Sequence, residues 1–427
     1  MSKKIKIAVV GVGNCSSSLI QGAQFYTDRP TDEVGLMYPE IGGYRASDLE
    51  FVVGFDIDAR KVGTPLREAI FASPNCAMFV TKDLKNCGSV NKPSMVYRGP
   101  TMDGFAEHMK NYDDRITFVE SVEPAITEDD YRKLLIDNQV DVVLNYLPVG
   151  SDLGSKWYIE HAIKAGKHVV NCMPSFISTE DQRGLEKLAV EYGVTLVGSD
   201  MRSAFGASRL SEILQGALLD SGLVVTQHIQ MNMAAGTTQG DDNAINGRSA
   251  NCDFLNMAER YRLKNKHISK ENVLRGQNDV RGAATAGMTM YAGPSLTVTQ
   301  KPGGVYQGSD NKIANLDIVA YGFTHARYEI TARMSVQDSP NSGGIVLDAV
   351  RFCKVASEMG IVGYLRGPSA WTQKTPPVQM KTADSKFECD ALARRVLTPM
   401  TTAQLKQNID LSTLSYSFQK SIDDYQK

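Results

Sequence analysis

The stretch IKIAVVGVGNCSSSLIQG, residues 5–22, decides the fold. Ile5 to Val10 is apolar except for Lys6, the pattern of a short strand, and from Cys15 to Phe25 the spacing becomes helical. Between them lies Gly11-x-Gly13-x-x-Ser16, a glycine turn that closes a strand and opens a helix. Its glycines permit a tight turn and a close approach of backbone to a pyrophosphate, and the helix N-terminus offers unpaired N–H groups to negative charge. Ser16 stands where a third glycine is usual. By itself such a turn reads equally well as a plain strand-to-helix connection. Asp56, ending the apolar run Phe51 to Asp56, tips the balance, because an acid at the end of the second strand accepts both ribose hydroxyls and repels a 2′-phosphate. NAD is therefore expected over NADP. Asp56 lies 40 residues beyond Ser16, against a usual ~20, so the first crossover carries an insertion.

The rest of the chain extends this beginning. Strand candidates at Ile116–Val119, Val140–Leu147, His168–Cys172 and Val194–Gly198 alternate with helical patterns at Glu128–Asn138, Lys156–Ala165 and Thr179–Tyr192. That rhythm predicts an α/β fold with a parallel, doubly wound sheet over residues 1–200. Asn145, Leu147 and Pro148, after the fourth strand, are expected to face the cofactor. After Asp220 longer strands, Val224–Asn232, Leu316–Tyr321 and Arg327–Met334, predict an inserted α+β unit over 201–338. A strong helical stretch from Pro340 and a polar tail from about Lys381 are assigned back to the first unit, as 339–427.

At 427 residues with 42% apolar side chains, the chain is long enough for two or three domains with real cores. Lys plus Arg number 46 against 48 Asp plus Glu, which argues against a nucleic-acid partner or a polybasic membrane anchor. The start lacks a signal-peptide pattern, and no apolar run approaches the roughly 18 residues of a membrane span. Seven scattered cysteines without a metal spacing resemble reduced core thiols, so a cytoplasmic location is expected.

Several lysines sit in unusual local settings. Ser269 reads as an N-cap, placing Lys270 in a first helical turn with Lys266 upstream, where an anionic ligand would offset the unfavourable helix dipole. Two solvated surface lysines are the competing reading. Lys374 stands in Gln-Lys-Thr-Pro-Pro, a rigid perch or a simple Pro-rich turn, and Lys312 follows a turn at the start of a strand. The run Ser199-Asp200 to Ala207, small residues between a strand and an amphipathic helix, makes a second phosphate-sized anion site. Asp200 at its entrance reads either as a partner for a lysine or as an N-cap.

Together these segments resemble the inositol-3-phosphate synthase family in its shorter bacterial and archaeal form. The resemblance is carried by VGVGNCSSSLIQG (10–22), FDIDARKVG (55–63), AIFASPN (69–75), RGPTMDG (98–104), YLPVGS (146–151), GSDMRSAFGAS (198–208), NCDFLNMAERYRLKNKHISK (251–270), DSPNSGG (338–344) and KTPP (374–377). It implies an NAD-binding Rossmann domain completed by the C-terminal region, a catalytic and tetramer-forming domain between, and conversion of D-glucose 6-phosphate to 1D-myo-inositol 3-phosphate for inositol and phospholipid biosynthesis. Carried over, the catalytic lysines fall on Lys266, Lys270, Lys312 and Lys374 and the carboxylates on Asp200, Asp253 and Asp338. The cofactor would be held by Gly11, Gly13, Asn14, Cys15, Ser16, Asp56, Asn145, Leu147 and Pro148, and the substrate phosphate by Ser203, Ala204, Phe205, Gly206 and Ala207. Whether a divalent metal or a monovalent cation assists is open, with Asp338 the residue that would reach one. Arg202 departs from the family's lysine, and Ala234 to Ala250 is an insertion.

The implied chemistry oxidises C5 of the sugar, draws a proton from C6, closes the ring on C1 and re-reduces C5. Clustered ammonium groups suit the successive oxyanions, and their crowding lowers the pKa of at least one lysine. Lys266 and Lys312 are assigned to proton exchange at O5, Lys270 and Lys374 to the phosphate and the C1 oxygen. A non-cyclising NAD-dependent dehydrogenase and a non-catalytic NAD-binding regulator remain alternatives. The 234–250 segment reads as a flap over the site or as surface decoration.

Overall fold

The structure, a computed structural model, describes residues 3–396 apart from 74, 90, 112–113, 115–116, 237–259, 276–287 and 295–307. In chain order its strands are β1 (Ile5–Val10), β2 (Leu49–Asp56), β3 (Val96–Arg98), β4 (Val142–Asn145), β5 (His168–Asn171), β6 (Thr195–Val197), β7 (Val224–Gly236), β8 (Met288–Pro294), β9 (Gly308–Tyr321), β10 (Arg327–Gln337) and β11 (Gly363–Tyr364). The α-helices are α1 (Asn14–Asp28), α2 (Leu66–Ala69), α3 (Glu128–Asp137), α4 (Asp152–Lys164), α5 (Thr179–Glu191), α6 (Ala207–Asp220), α7 (Arg260–Arg275), α8 (Asp338–Glu358), α9 (Arg366–Thr372) and α10 (Thr382–Ala393).

Seven strands form one parallel sheet in the order β11-β6-β5-β4-β1-β2-β3. Winding reverses between β1 and β4, so this is a doubly wound Rossmann sheet, whose ligand crevice lies at the carboxyl ends beside that reversal. Both faces of the sheet are covered, which is why its strands are apolar throughout rather than alternating. Ile5, Ile7 and Val9 of β1 pack with Leu19, Ile20 and Ala23 of α1 and with Ile345, Val346 and Val350 of α8. Ala8 and Val10 face the other way, onto Tyr131 and Leu135 of α3, Tyr158 and Ile159 of α4 and Leu185 of α5. Each fully buried Ile or Val here is worth about 1.5–3 kcal/mol.

The second sheet, β10-β9-β7-β8, pairs β7 with β9 and β9 with β10 antiparallel and β7 with β8 parallel. Leu214, Leu218 and Leu219 of α6 pack under its Val225, Ile318 and Ala320. Among the described residues no helix is long and apolar enough to cross a membrane.

The structure departs from the sequence reading in four places. The outermost strand is Val96–Arg98, paired with β2. Thr117–Val119 forms no strand and Ile116 lies outside the described residues. The error came from weighting apolar length, when a strand set between Pro93 and Pro100 needs only three residues to add an edge. The supposed polar tail begins with α10, whose Cys389 and Leu392 are fully buried against the main core, while 397–427 lie outside the described residues. Ser269 and Lys270 lie well inside α7, not at its start. Lys312 likewise sits within β9, not at its beginning. Of the expected flap, 234–236 complete β7 and 237–250 lie outside the described residues.

The long first crossover contains Tyr38, Ile41 and Tyr44, buried beside α8. Fully buried Arg351 ties it down, donating to the carbonyls of Tyr38, Pro39 and Tyr44 while paired to Asp348.

Gly11 holds the first sheet's turn at φ +89°, and a Cβ there would stand 2.5 Å from the Tyr146 carbonyl oxygen beyond β4. A side chain meets both a left-handed backbone and a backbone wall, and strain of this kind costs about 1–3 kcal/mol. Gly11→Ala is expected to lower the denaturant midpoint measurably, whereas an unchanged midpoint would mean that the β1 and β4 ends are not held in this contact.

Candidate active site

A single continuous cavity opens at the carboxyl ends of β1, β2, β4 and β5 and runs beneath the second sheet. At one end its wall is Gly11, Gly13, Asn14, Cys15, Ser16, Asp56, Leu147 and Pro148. Helix α1 begins here with Gly13 as N-cap and no side-chain cap. Thr127 accepts from Asp130 N, Ser178 from Asp181 N, and Asp103 from the first turn of α4, whereas the N-caps of α2, α8, α9 and α10 make no such bond. With no side-chain cap of its own, the start of α1 faces the cavity, where a bound anion is favoured. Ser16 explains the missing third glycine, since its hydroxyl donates 2.6 Å back to Gly11 O and is buried against the turn.

Asp56 is fixed by the backbone: Val12 N donates to Oδ2 at 2.7 Å, and Ile57 N and Asp58 N to Oδ1. Its neighbour Asp58 is fully buried and bound by the Arg60 guanidinium, so it offers no second ribose contact. A ribose and pyrophosphate fit the pairing of Asp56 with the open α1 terminus. Asn145 stands behind the wall, fully buried, donating to Ser155 Oγ and Asn171 Oδ1 and accepting from Leu147 N. Its place is to hold the turn that presents Leu147 and Pro148.

At the other end Lys266 and Lys270 enter from α7, one turn apart, Lys312 from β9 and Lys374 from the segment after α9. Asp200 Oδ1 accepts from Lys266 Nζ at 2.7 Å and Lys374 Nζ at 3.1 Å, and Asp338 pairs with Lys312. Asp200 is fully buried with φ +62°, an unfavourable backbone for a non-glycine residue. It is kept there by Asp200 N to Met173 O and Lys374 N to Asp200 O, at 2.9 and 2.7 Å. The perch expected of Lys374 is real, though it is built by this ladder as much as by the following prolines.

Burial pushes Lys374 down to about 7, with Asp200 pulling upward and Lys266 and Lys312 pushing further down. Lys270 is driven well below its ordinary value by burial first, then by Lys312, Lys374 and Lys266. Burial would raise the Asp200 and Asp338 carboxyls, but the lysines beside them hold both below the usual range. An anionic ligand in the cavity would favour the protonated forms of Lys270 and Lys374, which burial and crowding disfavour.

The second expected anion site divides between a helix start and a loop. Helix α6 starts at Gly206 as N-cap with no side-chain cap, and Ser203, Gly206, Ala207 and Ser208 line the cavity. Ala204 and Phe205 are exposed, their N–H groups donating to Asn341 O and Oδ1. They shape the loop from outside and have no N–H left for a phosphate. Asp253 lies outside the described residues.

Sequence reasoning missed several groups. Arg202 and Arg209 line the cavity and share the buried Glu212. Asp310 accepts from Ser339 N and Oγ, and burial with the nearby Asp338 pushes its carboxyl up to about 8. The available signal was spacing: Asp310 and Lys312, two apart on a strand, share a face. Among the described residues no three His, Cys, Asp or Glu side chains converge to hold a metal ion.

No family model matches the chain. The inositol-3-phosphate synthase of Mycolicibacterium smegmatis is 35% identical over 392 residues, covering 91% of this chain and 97% of that protein. That of Corynebacterium glutamicum is 34% identical over 382 residues, 88% and 94% of the two chains. In fold, the chain is similar to a myo-inositol-1-phosphate synthase-related protein from Thermotoga maritima, with TM-score 0.69 at 18% identity over 93% of this chain and 100% of that one.

With lysine ε-carbons labelled, NMR titration should show a midpoint near 7 that is absent from Lys374→Met. In Asp200→Asn that midpoint should fall, because the carboxylate that favours the charged amine is gone. A Lys374 midpoint near 10 would contradict the burial and crowding described here.

Proposed function

Because the chain belongs to the inositol-3-phosphate synthase family, and is an intramolecular isomerase of inositol biosynthesis, we propose that it converts D-glucose 6-phosphate to 1D-myo-inositol 3-phosphate with NAD as an internally recycled cofactor. The observation that carries this reading is the convergence of four lysines on the cavity whose other end is the glycine turn of a Rossmann sheet. A simple dehydrogenase has one oxyanion to meet, whereas cyclisation raises three in succession: at O5, on the enolate and at O1. A regulator has no need of a buried amine held near neutrality.

NAD, when bound, supplies oxidation at C5 and its reversal after ring closure. Gly11, Gly13 and the start of α1 at Asn14, Cys15 and Ser16 hold its pyrophosphate, and Asp56 its ribose. The substrate phosphate rests on the open start of α6, with Ser203, Gly206 and Ala207 around it. Lys266 and Lys312, each paired with a carboxylate, keep an ammonium beside the developing oxyanions. Lys270 and Lys374, whose protonated forms burial disfavours, take and return the moving protons. This exchanges the division of labour expected from the resemblance, for an electrostatic reason. Asp200 orients two amines at once. Residues 1–200 with 339–427 form the nucleotide-binding unit and 201–338 the catalytic and assembling unit, four chains making a homotetramer. The product would supply inositol phospholipid synthesis.

The test is incubation of the protein with glucose 6-phosphate and substoichiometric NAD, read by phosphorus NMR for product and by absorbance for NADH. Inositol phosphate should exceed NAD many times over without NADH building up. Lys312→Ala should cut kcat by on the order of 10² or more, since losing one oxyanion donor costs roughly 2.7–4 kcal/mol, with NAD binding retained. One NADH per sugar consumed would instead establish the dehydrogenase.

A further inference from the structure

The interior between α6 and the second sheet changes character along its length. Far from the cavity it is apolar, with Leu214, Leu218, Val225 and Ile318. Toward the cavity the facing residues become Ser211 and Gln215 on the helix and His228, Gln230 and Asn232 on β7, all buried. A polar seam in such a place costs free energy unless every group is paired.

All but one of its ends are paired. The His228 ring lies 2.9 Å by Nδ1 from the Gln215 side-chain amide and 3.1 Å by Nε2 from Ser211 Oγ. Ser211 Oγ donates to Gln230 Oε1 at 2.9 Å, and Gln230 Nε2 donates to Asn232 Oδ1 at 2.9 Å. Burial pushes His228 down to about 4, so the ring is neutral under ordinary conditions. The neutral ring donates from Nδ1 to Gln215 Oε1, and the links from Ser211 Oγ to Gln230 Oε1 and from Gln230 Nε2 to Asn232 Oδ1 run as donor to acceptor toward Asn232. The chain ends on Asn232 Nδ2, which has no partner among the described residues although Asn232 is only 4% exposed. Asn232 lines the cavity. On the sheet it is paired with Ala314, and Ala234 with Lys312, so Asn232 and Lys312 share a face of neighbouring strands.

We propose that Asn232 is a substrate-contacting residue, its amide N–H2 donating to a hydroxyl or carbonyl oxygen of the sugar phosphate beside Lys312, with Gln230, Ser211 and His228 as positioning residues that fix which end of the amide faces the ligand. This rests on the sugar-phosphate reading above. A free asparagine amide can rotate to offer either oxygen or nitrogen. Here Gln230 engages the oxygen, so the cavity receives a donor, and a ligand with an acceptor oxygen at that point is favoured over one lacking it. The amine of Lys312 and the amide of Asn232 then address adjacent oxygens, one by charge and one by direction.

The test uses calorimetric binding of glucose 6-phosphate to the NAD-loaded full-length protein. Asn232→Asp keeps the shape and replaces the donor by an acceptor, and should weaken sugar-phosphate binding tenfold or more while NAD affinity and thermal midpoint stay near wild type. Gln230→Glu removes the N–H that engages Asn232 Oδ1 and should raise KM with kcat changed less. Mono-deoxy analogues of the sugar phosphate locate the contacted oxygen: the one lacking it should bind wild type more weakly and Asn232→Ala no worse than the parent sugar does. Equal binding of glucose 6-phosphate by wild type and Asn232→Asp overturns the inference and leaves the proposed reaction standing. Failure of the wild type to bind it overturns both.

Discussion

Bringing four amines into one buried cavity is the constraint that the rest of the site answers. Ammonium groups repel one another and lose hydration together, and neither cost is met by packing. The chain supplies Asp200 and Asp338 as fixed counter-charges and leaves the remainder to be balanced by a ligand. Asp200 is the keystone of this arrangement. Its backbone conformation is unfavourable, yet it is locked between Met173 and Lys374, and its carboxylate bridges α7 to the segment that returns after α9. A distant helix and a late loop thereby become one surface.

The same principle of a deliberately unanswered charge appears at both ends of the cavity. Helices α1 and α6 each begin with a glycine N-cap and no side-chain cap, although Thr127 and Ser178 cap α3 and α5. A glycine N-cap leaves a helix less stable than a Ser, Thr, Asn or Asp cap by only about a few tenths of a kcal/mol, a small cost borne where an anion would offset it. The seam of His228, Ser211, Gln230 and Asn232 is the neutral counterpart, a run of paired dipoles ending at the cavity. Both uncapped helix starts and all four lysines face this one cavity.

What was legible in the sequence is what depends on local pattern. The β1 turn and α1 follow from five apolar residues out of six, two glycines and a helical period. The parallel sheet follows from repeated alternation of the two periods. The helix bearing Lys266 and Lys270 was misread because RYRLKNKHISKENVLR carries almost no apolar stripe, so Ser269 looked like its beginning. Its faces are fixed by contacts that sequence spacing does not reveal, such as Thr375 Oγ1 donating to Ser269 Oγ. Lys312 and Lys374 carry no local signal linking them to that helix, and resemblance alone brought them together. Asn145, Ala204 and Phe205 were placed by position in a motif, but which way each turns is settled by Ser155, Asn171 and Asn341 from other parts of the chain. Asn232 was invisible for the same reason, whereas Asp310 was legible from its spacing of two from Lys312.

The central claim is that oxidation, ring closure and reduction occur in one cavity without release of an intermediate. Glucose 6-phosphate deuterated at C5, supplied with unlabelled NAD and a pool of unlabelled NADH, tests it directly. If the cavity retains both the sugar and the reduced cofactor that carries its deuterium between the two redox steps, the inositol phosphate keeps the label at the carbon that was C5, even at high NADH. Loss of that label in proportion to the NADH pool would contradict the account.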